Sequence, residues 1–212
     1  MKILLVSATE YELDLSGQKN KINVETDTLI SGVGIASTIY NVTKKLMQNE
    51  YSIAIQAGIA GAVTDELDLG ETVLISADTF GDSGIEEAGV LKTLFSMGLA
   101  NENNFPYKDG WLLNTHELLI STELKTIRSI TVNKITDNKE QIERQRIMFN
   151  PQAESMEGAA FHYVCLQQGI PFLQVRSISN RVGERDKRKW ELEKAVSNLN
   201  NEVNKIIQLL SQ

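Results

Sequence analysis

Five stretches of the chain carry apolar residues almost without interruption: KILLVSA at 2–8, SIAIQAG at 52–58, TVLISAD at 72–78, SITV at 129–132 and FLQVRSIS at 172–179. Runs of this length, rich in Ile and Val, predict strands covered on both faces, where no solvent side demands a polar residue at every second position. The stretches between them have a different period. Over 35–49, behind Gly34, the residues Ile39, Val42 and Leu46 recur at helical spacing and predict an amphipathic helix. Residues 158–168, with Ala159, Tyr163 and Leu166, read the same way, as does the C-terminal stretch with Ala195, Leu199, Val203, Ile206 and Leu210. Strand and helix alternate, so the predicted class is α/β with a mixed or largely parallel central sheet. Residues 81–115 break the alternation. They are rich in Gly and Asn but hold Phe105, Pro106, Tyr107 and Trp111, which suits a long loop beside a site as well as an ordinary surface excursion.

A length of 212 residues suits one domain with a sizeable core. The formal charge of -7 and pI near 5.0 supply no basic patch for a nucleic acid or an anionic membrane. A small neutral or weakly charged ligand fits better. Cys165 is the one cysteine, so no internal disulfide forms. The apolar start is short and runs at once into Glu10, Glu12 and Asp14, unlike a signal peptide, and no run approaches a membrane span. The expectation is a soluble, cytoplasmic protein.

Open α/β sheets bind ligands beyond the carboxyl ends of their strands. There the sequence gathers acids and small residues: SATEYE after the first strand, GIAGA at the end of the 52–58 run, SMEGAA at a helix start and Asn180 at the end of VRSIS. The glycine stretches SGVGIAS (31–37) and AGIAGAV (57–63) are not Walker patterns; they serve either as tight turns or as places where the backbone approaches a ligand closely.

Taken together, MKILLVSATEYEL, SGVGIAS, AGIAGAV, SMEGAA and VRSISN, in this order and at this spacing, resemble the nucleoside phosphorylase / 5'-methylthioadenosine nucleosidase superfamily. Within it, residues 154–186 and the GWLLN segment at 110–114 are most similar to the futalosine hydrolases. The resemblance implies a three-layer α/β/α fold around a twisted mixed sheet. It also implies a homodimer that cleaves the N-glycosidic bond of a purine nucleoside without metal or organic cofactor. For the futalosine hydrolases the base is hypoxanthine, the 5' substituent carries a benzoate-bearing chain, and the reaction lies on the futalosine route to menaquinone.

Breaking such a bond calls for a hold on the ribose hydroxyls as the ring becomes an oxocarbenium ion, a way to neutralise the leaving base, and an aimed water. The resemblance assigns the ribose hydroxyls to Glu157, with Met156 against the sugar face; otherwise Glu157 is a first-turn acid favoured by the helix dipole and Met156 is core. It assigns the general base to Glu12, for which Glu10 competes, with Thr9 in the place of an apolar neighbour. Val33, Ile59, Ala60, Gly61, Thr136, Ser155 and Ser179 complete the substrate-lining set. Arg176 is expected to bracket Glu12 or Glu157, or else to form an interface salt bridge. Where nucleosidases acting on 6-aminopurines place Asp after Ser, this strand has Asn180. A carboxamide offers a donor and an acceptor side by side, which suits O6 and a protonated N7 of a 6-oxopurine; an inactive site or an Asx turn is the alternative. Phosphorylases of the superfamily hold phosphate with arginines from the N-terminal half, and no arginine precedes Arg128 here, which favours water as nucleophile. The basic run 181–190, with Arg181, Arg185, Lys187 and Arg188, either matches an acidic 5' tail or is a solvated helix start. A methylthioadenosine-type nucleosidase and a silent purine-nucleoside-binding protein remain as alternatives.

Overall fold

The apolar runs become strands in the computed structural model, which describes residues 1–14 and 24–211. They are β1 (Lys2–Ser7), β3 (Ile53–Ala62), β4 (Thr72–Phe80), β8 (Lys125–Thr131) and β10 (Phe172–Arg181). Two strands without a continuous apolar run join them, β2 (Glu25–Ile30) at the sheet edge and the three-residue β9 (Ala153–Ser155). β3 pairs parallel with β10, β10 antiparallel with β4, β4 parallel with β8, β8 parallel with β9, and β9 antiparallel with β3. These five strands close on themselves. β1 and then β2 extend the sheet in parallel from the first half of β3.

Alternate residues of the strands serve different helices. Ile3 and Leu5 pack with Leu199, Val203, Ile206 and Ile207 of the C-terminal helix α5 (Leu192–Leu210). Leu4 and Val6 pack on the other face with Val42 of α1 (Ile35–Gln48) and with Phe161, Val164 and Cys165 of α4 (Gly158–Gln168). Both faces are covered, which is why the strand sequences show no polar alternation. The result is a three-layer α/β/α arrangement around a mixed sheet.

Three expectations need correction. The helix over 158–168 does not present one apolar stripe: Ala159, His162, Val164 and Cys165 are all buried, while Tyr163 and Leu166 are half-buried, because α4 is packed between α1 and the strands. The last strand does not stop at Asn180 but runs to Arg181, with a bulge between Ile178 and Asn180. Residues 81–115 are not a bare loop. They hold the hairpin β5 (Gly84–Glu87) and β6 (Val90–Thr93) and the short β7 (Leu112–Leu113), which pairs with β4. Phe95, Tyr107 and Trp111 line a separate cavity of about 500 Å³ with Met148 and Phe149 of α3 (Lys139–Phe149), the helix that follows the four-residue α2 (Leu118–Ser121).

Candidate active site

Where β1 ends, β3 loses its neighbour. Gln56 is the last residue in register with β1 and Gly61 the first in register with β9, so between them that edge of β3 has no strand alongside. A strand edge left open presents backbone groups in need of partners. Here a side chain supplies one: the Ile59 amide donates to Glu12 Oε1 at 3.1 Å. The other oxygen of Glu12 is held from its own loop, Oε2 accepting from the Thr9 amide at 3.0 Å, Thr9 Oγ1 at 2.9 Å and Ser7 Oγ at 3.3 Å. The loop itself is tied down by Asn200 of α5, whose Nδ2 donates to the Glu12 carbonyl at 3.0 Å and whose Oδ1 accepts from the Asp14 amide at 2.8 Å. Glu12 is 7 % exposed, and that exposure opens into a cavity of about 300 Å³. With a single donor on Oε1, a lone pair there stays available to a water or a ligand hydroxyl.

Glu157 faces the same cavity from the start of α4 and is 5 % exposed. Its Oε1 accepts from the amide of Gly34 at 2.9 Å, the residue that opens α1, so the carboxylate lies where two helices begin and their dipoles favour negative charge. Gly34 has φ 90, a left-handed value that lets this amide point away from its own helix. Burial pushes the Glu157 carboxyl above its usual value; the Arg176 charge and the Gly34 amide oppose that shift and the Glu12 carboxylate adds to it. The third acid is Glu154, which burial and then the nearby Asp82 carboxylate raise to about 7.

Asn180 lines the cavity beside the β10 bulge, its Oδ1 accepting from Ser179 Oγ at 2.9 Å and its Nδ2 donating to the Arg181 carbonyl at 2.9 Å. A carboxamide has two donor hydrogens and two acceptor lone pairs, so one of each remains to address a ligand. The arrangement gathers Glu12, Glu154 and Glu157 with the Asn180 carboxamide in one pocket at the carboxyl ends of β1, β9 and β10.

A family model described as the phosphorylase superfamily matches residues 28–212. The chain belongs to the phosphorylase superfamily. Among curated members, the futalosine hydrolase of Thermus thermophilus is 28% identical over 182 residues, covering 84% of this chain and 80% of that protein. Two solved structures share the superfamily fold at low identity. The 5'-methylthioadenosine/S-adenosylhomocysteine nucleosidase of Helicobacter pylori has a TM-score of 0.83 at 17% identity, covering 98% of each chain. A futalosine hydrolase mutant from the same organism has a TM-score of 0.81 at 18% identity, covering 98% of this chain and 99% of its own.

Of the residues the superfamily resemblance selects, Thr9, Glu12, Val33, Ile59, Ala60, Gly61, Ser155, Met156, Glu157, Ser179 and Asn180 line this one cavity. Two do not. Thr136 lies in the loop before α3, where its Oγ1 accepts from the Asn138 amide at 3.1 Å, and Ile135 takes the cavity position instead. Arg176 lies beneath the cavity, 1 % exposed, and its Nη2 donates to Gln56 Oε1 at 2.7 Å; it makes no ion pair with Glu12 or Glu157. It influences Glu157 as a charge at longer range. Of the basic run, Arg185 alone reaches the cavity, near Trp190, while Arg181 donates to the Thr64 carbonyl and Arg188 pairs with Asp186. Sequence reasoning passed over Tyr11, Val182 and, above all, Glu154, although Glu154 stands three residues before Glu157 in the same motif.

Proposed function

We propose that this protein is a futalosine hydrolase, cleaving the N-glycosidic bond of futalosine to give hypoxanthine and dehypoxanthine futalosine on the route to menaquinone, as a cytoplasmic homodimer. The observation that carries this reading is that Glu12 and Glu157 line one cavity together with Asn180, a carboxamide and not an acid. Three curated relatives, 27–29% identical, bear that activity in their names. Oε1 of Glu12 takes the proton of a water attacking the anomeric carbon. Glu157 accepts from the ribose hydroxyls, an interaction that strengthens as positive charge develops on the ring. Asn180 donates to O6 and accepts from N7–H as the departing base takes up a proton from solvent, which balances the proton that Glu12 removes from the attacking water. Water rather than phosphate is the nucleophile because Arg185 is the one lysine or arginine lining the cavity among the described residues, and a phosphate dianion needs more than one fixed cation.

A methylthioadenosine-type nucleosidase is the second reading, favoured by the Helicobacter pylori structure and by a 25% identical relative from Shewanella halifaxensis. Asn180 argues against it. Incubation with futalosine, inosine and methylthioadenosine, with and without phosphate, followed by chromatography of the released base, separates the readings. Hypoxanthine from futalosine, independent of phosphate, supports the first; adenine from methylthioadenosine as the main product replaces it with the second; no base from any of them leaves a binding protein.

A further inference from the structure

Glu157 holds the N-cap position of α4, yet its side chain caps nothing: the carboxylate is turned away, to the Gly34 amide and the cavity. A helix start leaves its first amides without partners inside the helix, and where these are buried something else must meet them. Here the sheet does. The Gly158 amide donates to Ser155 Oγ of β9 at 3.2 Å, and the Ala159 amide to Thr131 Oγ1 of β8 at 2.7 Å. The Thr131 hydroxyl in turn donates to Asp78 Oδ1 of β4 at 2.9 Å, which leaves its lone pairs facing the helix. Gln174 Nε2 of β10 donates to the other oxygen of Asp78 at 3.2 Å, and all three side chains are fully buried. A Cβ on Gly158 would come within 2.1 Å of Gln174 Nε2 and 2.3 Å of Asp78 Oδ2, so α4 begins directly on this pair.

We propose that Thr131 is a positioning residue for Glu157: its hydroxyl, oriented by Asp78, caps α4 from the sheet and leaves the N-cap carboxylate free for the ribose hydroxyls. The proposal rests on the nucleosidase reading of the cavity and extends it to residues that do not line that cavity. Ala159 stands at the second helical position, whose amide an N-cap side chain ordinarily takes. Glu157 is spared that bond because Thr131 makes it. Without the hydroxyl, the buried Ala159 amide has lost its acceptor and draws the nearest one, the Glu157 carboxylate, back over the first turn and away from a ligand. The chemistry then suffers through a residue that never touches the substrate.

The test compares kcat/KM for futalosine and its 2'-deoxy analogue in the wild type, Thr131→Val and Thr131→Ser, with calorimetric binding of free hypoxanthine and thermal unfolding of each. The intrinsic reactivity of the two substrates is the same in every protein, so a change in the ratio reports the hold on the 2'-hydroxyl. Thr131→Val is expected to lower that ratio by about ten- to a hundredfold, with kcat falling by a larger factor than KM rises and hypoxanthine binding kept within about threefold. Thr131→Ser restores the hydroxyl and is expected to hold the ratio within about threefold of wild type. Thr131→Ala removes the same hydroxyl without pressing a methyl against Asp78, and takes the place of valine if that variant does not fold. A folded variant without the hydroxyl that keeps the wild-type ratio overturns the positioning role, even if it melts earlier, and leaves the nucleosidase reading intact. A wild type that releases no hypoxanthine from futalosine sinks both.

Discussion

In the proposed reaction Glu12 acts through the lone pair its donors leave open. Thr9 and Ser7 occupy Oε2 and Ile59 takes one position on Oε1. Glu12→Gln puts an NH₂ group against one of these donors and removes the capacity to take a proton. Turnover on futalosine is expected to fall about 10²- to 10⁴-fold, with substrate binding retained. Single-turnover base release and equilibrium binding check this together, and near-normal turnover removes Glu12 from the mechanism. At Asn180 the expected change concerns choice more than rate. Asn180→Asp places a carboxylate where O6 approaches, so activity on hypoxanthine nucleosides falls, and the ratio of kcat/KM for a matched 6-oxo and 6-amino pair shifts toward the amino substrate by about ten- to a hundredfold. A ratio unchanged by the substitution means that Asn180 does not read the base.

Among the elements, the strands with continuous apolar runs and the helices with a clean stripe are visible in the sequence because burial on one or two faces writes itself directly into residue type. β9 is not, since three residues carry no period, and α3, KEQIERQRIMF, is nearly polar throughout and is marked chiefly by its cap, Asn138 accepting from the Gln141 amide at 3.0 Å. The site follows the same division. Glu12, Glu157 and Asn180 announce themselves by motif, whereas Glu154 comes to the cavity only through the register of β9 against β3, a relation between strands distant in the chain. Arg176 was legible as a buried arginine but not its partner, because which polar group it meets depends on how β10 lies against β3. That contact explains another feature of β3: a Cβ on Gly58 would come within 2.0 Å of Arg176 Nη1 and 3.2 Å of Glu12 Oε1. Arg176 is too enclosed to step aside. Gly58→Ala is therefore expected to destabilise the fold by about 1–3 kcal/mol and to lower turnover by moving Glu12, as denaturant unfolding and steady-state rates would show. Wild-type values for both would mean that the strand pair accommodates the methyl.

For the molecule as a whole, the buried acids set the response to pH. Burial raises Asp78 to about 7, against hydrogen bonds from Gln174 and Thr131, and Glu154 to about 7 as well, so both lie above their unfolded values of about 4. An acid whose folded value is raised contributes stability that is complete below its unfolded value and is lost as pH rises through the folded one. The acids with lowered values, Asp27, Glu143, Glu184 and Asp186, are ionised throughout the interval from pH 5 to 7.5 and add no slope there. Buried His162, lowered to about 4, runs the other way: its unfolded form takes a proton below about 6.5, so it adds stability as pH rises from 5 to 6.5. Two raised acids outweigh one lowered histidine, so the ligand-free protein should lose a net ~1–3 kcal/mol between pH 5 and pH 7.5, and Glu154→Gln should remove part of that loss. Urea unfolding at the two pH values checks the sign; stability that rises over the interval would show that these carboxyls are better solvated than their burial indicates. The open edge of β3 offers a quieter way to watch the chemistry. Because the Ile59 amide is bonded to the Glu12 carboxylate and not to a neighbouring strand, its proton resonance senses that carboxylate directly. A single isotope-labelled isoleucine signal becomes a spectator of the proposed general base, shifting when Glu12 turns toward a bound water or ligand, in the intact protein and without any turnover at all.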